Sequence, residues 1–145
     1  MTRAMLVTVL YRYEGSPDVM AENKFSDVAT GQWYTDAIIW ASESKIVEGY
    51  GDGIFGTNDS ITREQVATML KRYADWKKLG TSKTIELTSY TDAPQISSWA
   101  LDAMKWANAE GLMTGRTDTT LVPNGNASRA EVATLFMRFI EDYIK

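Results

Sequence analysis

The sequence repeats itself at a fixed interval. Trp33-Tyr34-Thr35-Asp36-Ala37, Trp40-Ala41, Gly49 and Thr62-Arg63-Glu64-Gln65-Val66-Ala67-Thr68 return in order as Trp99-Ala100-Leu101-Asp102-Ala103, Trp106-Ala107, Gly115 and Ser128-Arg129-Ala130-Glu131-Val132-Ala133-Thr134. Trp33 to Trp99 and Arg63 to Arg129 are each 66 positions. A third copy of the closing segment, Thr2-Arg3-Ala4-Met5-Leu6-Val7, opens the chain, so the numbering starts inside a repeat. A fixed period of this size means a modular array built from one supersecondary unit.

Each full repeat reads as helix, loop, helix. The first helix of the second repeat is expected to start near Gln32, with Trp33, Ala37, Trp40, Ala41 and Ser44 forming one stripe. Its counterpart carries Trp99, Ala103, Trp106 and Ala107, and Gly111 suits a left-handed stop. The second helices share an apolar face at i, i+3, i+4 and i+7: Val66, Met69, Leu70, Tyr73; Val132, Leu135, Phe136, Phe139; and Leu6, Val9, Leu10, Tyr13. Three copies of one face predict a bundle in which these helices meet near a common axis. Thr62 with Gln65, and Ser128 with Glu131, read as capping boxes, whereas Met5 is not expected to return the bond to Thr2. Glycines in Gly49-Tyr50-Gly51-Asp52-Gly53-Ile54-Phe55-Gly56 suit tight turns, with Phe55 and Leu121 as loop anchors. The expected linkers run from Glu14 to Lys24 and from Ala74 to Ser89, the second with a short strand at Thr84 to Leu87.

Composition narrows the chemistry. The 145 residues include no Cys and no His, which excludes disulfides, thiolate chemistry and His-based catalysis and removes the usual zinc ligands. A net charge of −4 argues against a nucleic-acid partner. No apolar run is long enough to cross a membrane. Residues 1–13 do not read as a signal peptide; if the parent protein is secreted, its signal is expected outside this chain. Asp52 and the Asn58-Asp59 pair fail the calcium-loop pattern, because Ile54 and Gly56 fall where oxygen ligands are needed. No spacing singles out a catalytic carboxylate pair, and no cofactor, metal or enzymatic activity is expected.

The informative residue is the arginine at the first position of each second helix: Arg3, Arg63 and Arg129. A cation there faces the positive end of the helix dipole, unfavourable by about 0.3–1 kcal/mol at exposed sites. Guanidinium and free backbone N–H groups at one spot would receive an anion, and a carboxylate fits the arginine fork. The structural alternative is that each arginine pairs with an internal acid such as Asp27 or Asp92. Trp40 and Trp106 read as core, while Trp33 and Trp99, at the helix starts, are better placed to stack on sugar rings.

These residues resemble the S-layer homology (SLH) domain. The matching signatures are the openings Phe25-Ser26-Asp27 and Tyr90-Thr91-Asp92, the helix pairs Trp40-Ala41 and Trp106-Ala107, and Thr62-Arg63-Glu64-Gln65 and Ser128-Arg129-Ala130-Glu131. The resemblance implies an all-α, pseudo-threefold helical bundle of helix-loop-helix repeats with the first repeat incomplete: 1–24 as the second helix and linker of a truncated repeat, 25–89 as a repeat with linker, 90–145 as a repeat. It implies a secreted protein at the bacterial cell wall or S-layer, anchored non-covalently to a secondary cell-wall polysaccharide carrying a pyruvylated amino sugar. The ligand-binding residues expected on this basis are Arg3, Arg63, Arg129, Asp27, Asp92, Trp33, Trp99, Gly49, Tyr50 and Gly115. Arg116, following Gly115 where the second repeat has Tyr50, departs from the repeat pattern. The alternative is a protein–protein assembly module, a homo-oligomer or swapped dimer that completes the truncated repeat and covers the apolar face of the Thr2 to Tyr13 helix.

Overall fold

Among the described residues five α-helices form: α1 (Arg3–Tyr13), α2 (Thr35–Glu43), α3 (Arg63–Trp76), α4 (Leu101–Ala109) and α5 (Arg129–Arg138). The computed structural model describes residues 1–144. Among these the fold is all-α, with isolated β-bridges but no strand, so the segment Thr84 to Leu87 is irregular rather than extended pairing. Leu87 is nevertheless buried, pinning the linker by one apolar side chain.

The helices group into two compact units, Met1–Ser60 and the chain from Ile61 onward. Neither unit is one sequence repeat. Each joins the second helix of one repeat to the opening and first helix of the next, because an amphipathic helix buries its stripe on whatever apolar face lies nearest. In the first unit α1 packs on α2, and Tyr11 meets Trp40 at 5.6 Å between ring centroids. Of the α1 face Leu6, Val9, Leu10 and Tyr13, the structure buries Leu6 and Leu10 fully and leaves Val9 and Tyr13 exposed. In the second unit α3 packs on α4, and Trp106 sits fully buried against Phe139 and Tyr143 at 6.5 and 5.6 Å. Phe139 also meets Tyr73 at 5.9 Å. Burying each such side chain stabilises by about 1.5–3 kcal/mol. Trp40 and Trp106 are thus core residues.

The helix ends follow local chemistry. All four helices α1 to α4 stop in the same paired motif; after α2, Ile46 N–H donates to Ala41 C=O at 2.8 Å and Lys45 N–H to Ser42 C=O at 3.0 Å. After α4 Gly111 takes the left-handed position (φ 70°), whereas its counterpart after α2 is Lys45 (φ 60°). A lysine there costs about 1 kcal/mol relative to glycine.

Three expectations about helix starts change. α2 begins at Thr35, not near Gln32, because the Thr35 hydroxyl is engaged outside the helix: it accepts from Gln32 N–H at 2.9 Å and donates to Ala29 C=O at 2.6 Å. Met5 does return a weak bond, its Sδ accepting from Thr2 N–H at 3.5 Å. Ser128 caps Glu131 N–H at 3.1 Å, but the Glu131 carboxylate does not reach back and is engaged elsewhere.

Candidate functional site

The same device occurs once in each unit. An aspartate near the repeat opening clamps the loop that follows the first helix, and the motif arginine bonds a carbonyl of that loop. In the first unit Asp27 accepts from the N–H groups of Phe55, Gly56 and Thr57 at 2.8, 2.7 and 3.3 Å. Arg3 Nε donates to Phe55 C=O at 3.0 Å. In the second unit Asp92 accepts from Leu121 and Val122 N–H at 2.9 and 2.8 Å, and Arg63 Nε donates to Leu121 C=O at 2.7 Å. Phe55 and Leu121 are fully buried, so each loop is anchored by its apolar residue and clamped by its aspartate. Val122 is held at φ 52° where the counterpart is Gly56 at φ 81°. A β-branched residue in that region is strained, and the Asp92 bond to its N–H helps fix it there.

Burial raises the Asp27 pKa, but the three loop N–H bonds outweigh it and hold the carboxyl below its ordinary 3.8. Asp27 and Asp92 therefore organise loop backbone. The pairing of Arg3 and Arg63 with Asp27 and Asp92, expected on the structural alternative, is thus replaced by bonds from loop N–H groups.

Arg3 and Arg63 are both buried, at 5% and 6% relative exposure. Arg3 lies between two rings, with its guanidinium carbon 4.5 Å from the Tyr50 centroid and 4.8 Å from that of Phe55. Arg63 spends Nη2 on Thr114 C=O at 2.6 Å and Nη1 on Glu131 Oε2 at 2.8 Å. The helix starts are not open anion seats either. Arg3 and Ala4 N–H donate to Asp59 and Thr57 C=O at 3.0 and 3.3 Å; Arg63 and Glu64 N–H donate to Gly125 and Pro123 C=O, both at 2.9 Å. The expectation of free N–H groups beside these two guanidiniums is thus corrected: carbonyls from the following loop satisfy them. Arg129, at the start of α5, is exposed.

The remaining predicted residues divide by exposure. Trp33 and Trp99 lie in the turns before α2 and α4 and are 53% and 54% exposed, and Trp33 stands edge-on to Tyr34 at 5.1 Å. Tyr50 is half-exposed, and its ring covers Gly56. Gly49 (φ 83°) and Gly115 are close-approach positions. A Cβ on Gly49 would fall 2.7 Å from Ile54 O and 2.8 Å from Phe25, and one on Gly115 would collide with Thr117 O and lie 2.8 Å from Tyr90. Both glycines shape their loops.

Four charged residues absent from the predicted set complete the second unit. Glu131 bridges two guanidiniums, with Arg116 Nη2 3.0 Å from its Oε1, and Arg116 also donates to Asn126 C=O at 2.6 Å. Burial raises the Glu131 pKa, yet the bonds from Arg63 and Arg116 prevail and hold it below the ordinary 4.5. Arg63, Arg116, Arg138 and Glu131 line an open groove of about 390 Å³ floored by Val66, Leu112 and Leu135. Glu64, almost fully buried, accepts from Ser97 N–H and Oγ at 2.9 and 2.7 Å and ties α3 to the turn before α4. In the sequence Arg116 stands out as a break in the repeat, whereas Glu131 reads as the second half of a capping box and Glu64 as part of the helix-start motif.

Comparison with known proteins agrees with this architecture. The family model of the S-layer homology domain matches residues 24–67 and 89–133. The chain is 33% identical over 97% of its length to an amylopullulanase of Thermoanaerobacterium thermosulfurigenes, covering 8% of that protein. It is 30% identical over 96% of its length to the surface-layer 125 kDa protein of Lysinibacillus sphaericus, covering 11%. It is 31% identical over 66% of its length to a cellulosome-anchoring protein of Acetivibrio thermocellus, covering 21%. The chain thus spans a small part of the curated relatives it matches. The family and its surface relatives place it in a secreted protein attached to the bacterial cell wall. With the repeat signatures, the all-α units and the matched segments in agreement, the chain belongs to the S-layer homology domain family.

Proposed function

We propose that this chain is a non-catalytic module that anchors its parent protein to the cell wall by binding an anionic secondary cell-wall polysaccharide, with the carboxylate of a pyruvylated amino sugar as the recognised group. The observation that carries this reading is the charge of the groove. Among its lining residues three arginines face one glutamate, within a chain whose net charge is −4. A local cationic groove on an acidic protein selects for anions.

The residues divide by task. Arg116 and Arg129 are exposed cations that meet the polymer first, while Arg3 and Arg63 act from behind the loops they hold. Trp33 and Trp99 offer flat apolar faces for sugar rings. Asp27, Asp92, Gly49, Gly115 and Tyr50 keep the loops in shape. A homo-oligomer that completes the first repeat is secondary to this reading, because Leu6 and Leu10 are already covered and only Val9 and Tyr13 of the α1 face stay exposed.

The test is binding to purified wall polymer. Trp33→Ala and Trp99→Ala are each expected to weaken binding on the order of tenfold, as for loss of one stacked ring. Both side chains are half-exposed, so stability is expected to stay within about 0.5 kcal/mol of the parent. Unchanged affinity in the double variant would show that neither tryptophan touches the polymer.

A further inference from the structure

We propose that Glu131 is an intramolecular competitor for the anion that Arg63 and Arg116 are arranged to hold, so that a carboxylate enters the second unit's groove by displacing it. The inference rests on the polysaccharide reading only for the identity of the natural ligand.

The geometry is that of a bound carboxylate. Glu131 presents one oxygen to each guanidinium, Oε2 to Arg63 at 2.8 Å and Oε1 to Arg116 at 3.0 Å. Local sequence favours another conformation: at this position the side chain ordinarily returns to the cap N–H, as Gln65 does to Thr62 at 3.0 Å. Glu131 gives up that bond for the two arginines. Its partner Arg63 is buried and held on two other sides by Leu121 and Thr114 carbonyls, so the cation cannot follow a departing acid into water. An uncompensated buried guanidinium is costly, and any carboxylate that reaches it is held strongly.

Glu131 is placed to leave. Its side chain is 36% exposed and lines the open groove, beside Arg116, equally exposed, and Arg138. With Glu131 in place the Arg63–Arg116 pair carries a net single positive charge; with it swung out, the pair presents two. The first unit lacks the second cation. There Tyr50 stands where the second unit has Arg116, and an aromatic ring covers Arg3.

The experiment titrates the whole chain with sodium pyruvate and follows the arginine Nε–Hε resonances by NMR. Glu131→Gln keeps the shape of the side chain and removes its charge. It is expected to bind pyruvate on the order of tenfold more tightly than the parent, with saturable shifts at Arg63 and Arg116, and adding Arg116→Gln is expected to abolish the gain. Equal affinity in parent and Glu131→Gln overturns the proposal. If loss of the ion pair prevents folding, Glu131→Asp serves instead, since an acid one methylene shorter does not span both guanidiniums; a gain of about threefold is expected, and none overturns it. A pyruvate gain in a protein that ignores wall polymer would uphold the competitor and sink the polysaccharide reading. Polymer binding by the parent, with no gain in either variant, would sink the competitor alone.

Discussion

Arg63→Ala is expected to lower the stability of the chain by about 2–4 kcal/mol, the range for removing one partner of a largely buried, hydrogen-bonded ion pair. The truncation strands Leu121 and Thr114 carbonyls and takes one of two cations from Glu131. The lower part of the range for buried pairs applies because Glu131 keeps Arg116 and is partly exposed. Arg129→Ala, at an exposed position, is expected to change stability by less than about 0.5 kcal/mol. Denaturant melts of the two variants provide the check. Equal, small effects would mean that Arg63 does not hold the second unit's loop.

Asp27→Ala is expected to cost about 2–4 kcal/mol at pH 7, because three loop N–H groups lose a charged acceptor. The cost should depend on pH in a definite direction. The folded Asp27 pKa is lowered, so its contribution is complete above the ordinary value of 3.8 and disappears as pH falls through the folded value. Glu131, lowered from 4.5, acts in the same sense. Stability of the parent protein therefore declines from about pH 4.5 downward, and the gap between parent and Asp27→Ala narrows there. A gap of constant size between neutral pH and pH 3 would show that the charge of Asp27 is not what fixes the loop.

The fold was legible in the sequence because its signals are local. Four-residue apolar spacing, Thr and Ser caps and the left-handed Gly111 each act within one or two turns of helix, and a repeat shows them more than once. The packing of Trp40 and Trp106 into cores, and the exposure of Trp33 and Trp99, followed from position along the helix. What escaped was set by distant chain. Glu131 looked like the second half of a capping box because Ser128 is three residues away. Its partner Arg63 is 68 residues away, and a buried guanidinium outweighs one cap N–H. The N–H groups at the starts of α1 and α3 seemed free for an anion, since no spacing announces that Asp59, Thr57, Gly125 and Pro123 would bring carbonyls to them. Asp27 and Asp92 were found by motif, but their backbone role depends on loops whose course only the folded chain fixes.

That the anchored group is a carboxylate is tested most directly by calorimetry of the intact chain with wall polysaccharide bearing its pyruvyl ketals and with the same polymer after mild acid has removed them. Saturable binding of the pyruvylated polymer, weakened by added salt and reduced at least tenfold on the stripped one, is the expected result. Equal affinity for the two polymers would contradict the account, because the arginines would then be recognising something other than the charge.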